Sequence, residues 1–138
     1  MPTRHTWLFL PLLSLCSCGE WQAANRLPSP DGAALASVEV KLRGASSTNS
    51  TRVNVNNATG GKLLEPGEIL NANGAIVGQT RLAWDGPDRL LVTLCEAISF
   101  KVRARLLREP ITRADGSENA IYVEVMNQRY SEQEKRCR

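Results

Sequence analysis

Apolar and polar residues alternate with a period of two along most of the chain, and clusters of Gly, Pro, Asn and Asp separate the alternating runs. Residues 34–42 place Val38, Val40 and Leu42 on one side and Ser37, Glu39 and Lys41 on the other. Residues 52–56 repeat the pattern with Val53 and Val55 inward. Glu65-Pro66-Gly67 breaks residues 63–70 into a turn and at most a short strand, and Asn71-Ala72-Asn73-Gly74 reads as another turn. Residues 79–84 set Thr80, Leu82 and Trp84 on one face. Residues 89–95 are the most continuously apolar, with Leu90, Leu91, Val92 and Leu94, which predicts a central strand.

Residues 99–107 alternate Phe100, Val102, Ala104 and Leu106 against Lys101, Arg103 and Arg105. They are expected to form an antiparallel hairpin with residues 120–126, where Ile121, Val123 and Val125 alternate with Tyr122, Glu124 and Met126. Ser29-Pro30-Asp31-Gly32, Asp85-Gly86-Pro87-Asp88 and Asp115-Gly116-Ser117 are turn signals, because Pro presets φ and Gly supplies a positive one. The charged tail, residues 128–138, has room for a helical turn or two, with apolar positions too sparse to define a helix. The pattern predicts an all-β domain: a small antiparallel β-sandwich or open barrel of about six or seven strands.

The first residues differ from the rest. Arg4 and His5 precede an apolar run over residues 7–15, and small residues and cysteine follow. This is the layout of a secretory signal peptide. The run is far short of the ~20 residues a spanning helix needs, and Pro11 interrupts it. Leu15-Cys16-Ser17-Cys18 then resembles the processing box of bacterial lipoproteins, which has Leu at −3, a small residue at −1 and Cys at +1. The resemblance covers about twenty residues. It implies cleavage before Cys18, diacylglycerol on the Cys18 sulfur and an acylated (palmitate-type) new amino group. It also implies a partner in the membrane itself, reached through that lipid. Gly19 at the next position resembles the default signal for the outer membrane, so the expected location is the cell envelope, facing the periplasm. An ordinary signal peptide cut nearby, with Cys18 a plain thiol, and a cytosolic chain with an apolar start are the other readings.

The chain is thereby divided into a signal peptide (1–17), a lipidated Cys and flexible tether (18–30), and one β-rich domain with a charged tail (31–138). Trp21 lies three residues from Cys18, with a place either at the membrane interface or against the domain. Cys95 and Cys137 are the two cysteines left of four, an even pair in an oxidising compartment. A disulfide between them is expected, the alternative being two unrelated thiols.

Composition narrows the function. The sole histidine, His5, lies in the segment expected to be removed, so the domain has no imidazole for a Ser-His-Asp, Cys-His or His-zinc site. No metal or other cofactor is expected, and no enzymatic activity. Loss of Arg4 leaves a nearly neutral chain, without the concentrated basic surface that nucleic acid requires. Asp85 with Asp88, and Asp115 with Glu118, are close in sequence, but turns use Asp for local hydrogen bonds. Lys101, Arg103 and Arg105, with Arg108 and Arg113 beyond, form the one notable basic face. It suits an anionic partner. It is equally the ordinary solvent face of a strand whose neighbour offers Glu124, with Lys101 guarding an edge.

From the Ser29–Gly32 turn through Trp84 and Asp88-Arg89-Leu90-Leu91-Val92, the domain resembles single blades of periplasmic β-propellers. It also resembles short, uncharacterised bacterial β proteins that open with the same Ser-Pro-Asp-Gly turn. The chain has room for one or two blades, which excludes a closed propeller, and the second group implies no activity. The expectation is a membrane-anchored envelope lipoprotein that binds or scaffolds an envelope protein or cell-wall component. An inhibitor or immunity-type protein that plugs a partner's site is the alternative, and a small envelope enzyme a third.

Overall fold

The computed structural model describes residues 19–44, 48–58, 68–103, 106–112, 115–116 and 118–138. The signal segment and Cys18 lie outside them, as does Arg105. The described residues are all-β. Strands β1 (Trp21–Pro28), β2 (Ala34–Lys41), β3 (Ser50–Asn57), β4 (Glu68–Asn73) and β7 (Ser99–Val102) form one five-stranded antiparallel sheet in the order β1-β2-β3-β4-β7. Strands β5 (Arg81–Trp84), β6 (Arg89–Cys95), β8 (Leu106–Thr112) and β9 (Glu118–Gln128) form a second sheet in the order β5-β6-β9-β8. A short ribbon, β10 (Tyr130–Ser131) with β11 (Arg136–Cys137), closes the chain. The expected sandwich is present, with more strands than the sequence pattern resolves.

Side-chain alternation builds the core. Ala34, Ala36, Val38 and Val40 of β2 are buried, and they stand beside Val53 and Val55 of β3. From the other sheet come Leu90, Val92 and Leu94 of β6, with Ile121 and Val123 of β9. Each Val, Leu or Ile side chain among them contributes about 1.5–3 kcal/mol when removed from water. A bulge adds one more to this layer. Val53 pairs with Leu70 and Asn54 with Glu68, so Ile69 is the extra residue. Ile69 and Leu70 are both fully buried, and Glu68 falls on the outer face.

Four expectations change. Trp21–Pro28, read as tether, is the first strand, hydrogen-bonded to β2 through the Ser29–Gly32 turn. That turn is tied by Ser29 Oγ, which donates to Asp31 Oδ1 (2.6 Å) and accepts from Ala34 N (3.0 Å). Asn71, Ala72 and Asn73, read as a turn, complete β4, and the chain turns at Gly74. The run 99–107 does not form a hairpin with 120–126. It ends at Val102 in the first sheet, and the chain re-enters the second sheet at Leu106. Only β8 pairs antiparallel with β9, while β9 lies parallel to β6, from Arg89↔Tyr122 to Cys95↔Gln128. A parallel pair needs a crossover, and here β7 and β8 supply it. The tail forms the β10–β11 ribbon rather than helical turns.

Candidate functional site

The end of β7 brings together two of the three basic residues singled out in the sequence. Lys101 stands opposite Asn71 of β4 and is exposed. Arg103 follows β7, its backbone N–H donating to Ile69 O at 2.8 Å. Its side-chain Nε lies 2.8 Å from Glu68 Oε1. This is an ion pair rather than an aligned hydrogen bond, since Glu68 Oε1 has no hydrogen-bond partner. The carboxylate beside the basic face is therefore Glu68 and not Glu124, which pairs with Arg89 in the other sheet. Lys101 forms no ion pair with any described residue. Arg108 belongs to β8, so the basic run is split between the two sheets.

Asn71, Asn73, Ser99, Phe100, Lys101 and Arg103 line a shallow groove of about 290 Å³ along β4 and β7. β7 is an edge strand. Arg103 N–H points to β4, so by alternation Phe100 and Val102 turn their backbone amide and carbonyl groups to the open side. Edges are usually blunted by prolines or bulges. β1 has a bulge between Ala23 and Asn25 and ends at Pro28. β8 contains Pro110 and a register shift. β5 is held against β1, because Trp84 Nε1 donates to Leu27 O at 3.2 Å. Among the described residues β7 has none of these protections, only the charge of Lys101.

Beyond the groove, the outer face of the same sheet carries two polar clusters that the sequence reading missed. Arg52 is ion-paired with Glu39, and its guanidinium lies 4.3 Å from the Trp21 ring centroid. Trp21 thus packs on the domain. Asn54 Nδ2 donates to Glu39 Oε2 at 3.2 Å, and Ser50 Oγ donates to Asn73 Oδ1 at 3.1 Å. The signal was present: the polar positions of β2, β3 and β4 share one face once register is known.

Of the two carboxylate pairs singled out in the sequence, Asp85 is engaged by a guanidinium, and the side chain of Glu118 lies outside what the structure describes. Asp85 Oδ2 receives Arg89 Nη1 at 3.2 Å, and Glu124 pairs with the same guanidinium. The hydrogen bond from Arg89 to Glu124, their charge attraction and then Asp85 raise the Arg89 pKa above its usual value. Among the described residues no group of three His, Cys, Asp or Glu is placed to hold a metal ion. None of their helices is long and apolar enough to cross a membrane. Cys95 and Cys137 are disulfide-bonded, with Cα atoms 5.8 Å apart. No family model, curated protein or solved structure matches the chain.

Proposed function

We propose that this protein is a lipid-anchored binding module of the bacterial cell envelope. It holds an extended, acidic segment of an envelope partner along the open edge of β7. The observation that carries the reading is the unprotected edge itself, with Phe100 exposed beside it and Lys101 and Arg103 next to the groove. A strand added to such an edge gains main-chain hydrogen bonds, and neighbouring side chains select its sequence. The cations favour carboxylates on the incoming strand. The lipobox Leu15-Cys16-Ser17-Cys18 supports the anchor, which would place the edge at a fixed height above the bilayer.

The test has two arms in a Gram-negative host. Intact mass and detergent partitioning compare the wild type with Cys18→Ala; acyl mass lost in the variant is expected. A photoreactive residue at Ser99, exposed in the same groove, should crosslink an envelope protein. Phe100→Pro should abolish that adduct by removing an outward-facing amide, while leaving the β4 side of the strand intact. An adduct unaffected by Phe100→Pro would sink edge pairing.

A further inference from the structure

Resting on the reading that Cys18 carries lipid, we propose that the domain stands end-on upon the phospholipid surface, seated through the loop cluster Leu42, Val77 and Ile98. It does not swing on a tether. β1 begins at Trp21, so only Gly19 and Glu20 separate it from Cys18. Trp21 pairs with Lys41, Lys41 with Ser50, Ser50 with Asn73, and Asn73 with Ser99. That row crosses the whole five-stranded sheet at the end where the anchor enters. The second sheet ends at the same level, because Ile76 N donates to Cys95 O at 2.9 Å and Cys95 lies opposite Gln128.

The three loops at this end each present an aliphatic side chain to solvent. Leu42 is 42% exposed, Val77 45% and Ile98 75%. Single exposed aliphatics are common, but three at the end that carries the anchor can meet one surface together. Ile98 is also held rigidly. Ala97 exchanges hydrogen bonds with the Asn127 side chain (3.1 and 2.9 Å), and Ile98 N donates to Asn73 O at 2.9 Å. Glu96, with φ of 56°, takes a conformation that costs a non-glycine residue energy. A loop fixed in this way presents Ile98 by design of the fold rather than by fraying.

Charge favours the same orientation. Lys41, Arg43, Arg129, Lys135, Arg136 and Arg138 at the anchor end outnumber its glutamates, Glu20, Glu96, Glu132 and Glu134, the last of which is engaged by Arg136 and Arg138. All four aspartates (Asp31, Asp85, Asp88 and Asp115) lie in turns at the other end. An anionic bilayer attracts the first end and repels the second. Shallow insertion of aliphatic tips beside cations is the chemistry of interfacial binding, and the acyl chains supply the affinity that three side chains lack.

The test places a photoreactive amino acid at residue 42, 77 or 98 of the full-length, lipidated protein. The protein is reconstituted in vesicles of phosphatidylethanolamine and phosphatidylglycerol. Tyr122, exposed beside Arg89 and about 20 Å up the strands, is the control. Intact mass should show phospholipid adducts at 42, 77 and 98, about tenfold above the yield at 122. Acylated protein with equal yields at all four sites would overturn the seating while leaving the anchor intact. A protein adduct at 98 in native envelopes, without lipid adducts, would assign the loop cluster to a protein partner and overturn it too. Unacylated, soluble protein would remove the anchor and the seating together.

Discussion

Trp84 donates its indole N–H to the carbonyl oxygen of Leu27 at 3.2 Å, joining edge strand β5 of one sheet to edge strand β1 of the other. β1 is otherwise largely exposed, and this bond ties it to the second sheet. Trp84→Phe keeps much of the ring and leaves Leu27 O without its donor. A loss of about 1–2 kcal/mol is expected from the urea midpoint. Amide exchange in β1 should accelerate more than in β3.

The Cys95–Cys137 bond closes a separation of 42 residues. The chain-entropy model assigns such a loop about 4 kcal/mol, less any strain. It joins the buried end of β6 to a ribbon with only two residues in each strand. Cys137→Ser is therefore expected to lower stability by about 2–4 kcal/mol and to release the ribbon first. Proteolysis of the tail should begin near Lys135, while β6 stays protected until global unfolding.

Periodicity made the fold class legible and concealed the topology. The alternation of Val38 and Val40, or of Ile121, Val123 and Val125, needs only a pleated strand with one buried face. The run 99–107 alternates without a break, yet it serves two sheets, because the departure at Arg103 is fixed by Glu68 and Ile69, about thirty-five residues earlier. Trp21–Pro28 was hidden for a different reason. Its side chains are mostly exposed, so a paired edge strand leaves no apolar stripe to read. Of the basic face, Lys101 and Arg103 line one groove. Their acidic neighbour came from a bulge that no local pattern announces.

Gly74 offers a contrast with Gly116. A Cβ at Gly74 would sit 2.6 Å from Ile98 Cδ1, and its φ is 76°. One at Gly116 would meet nothing within 4 Å, although φ is 79°. Gly116→Ala should cost about 1 kcal/mol from the left-handed backbone alone. Gly74→Ala should cost more, about 2–3 kcal/mol, and displace Ile98. The thermal midpoint should fall further in Gly74→Ala than in Gly116→Ala, and chemical shifts of the Ile98 methyls should move only in Gly74→Ala.

The Glu68–Arg103 pair separates a structural contribution from a binding one. The Glu68 side chain is 7% exposed while that of Arg103 is 51% exposed, so the carboxylate depends on the cation more than the reverse. Arg103→Ala leaves a buried carboxylate without its counter-charge and is expected to lower stability by about 1–3 kcal/mol. Glu68→Gln in the same chain should recover part of that loss, because a neutral amide needs no cation. Binding along β7 should follow a different order: weakened by Arg103→Ala, still weak in the double variant, and weakened by Lys101→Ala with stability unchanged. Denaturation midpoints and crosslinking yield, measured on the same four proteins, distinguish the two contributions. If the double variant regains both, Arg103 supports the groove without touching what binds there.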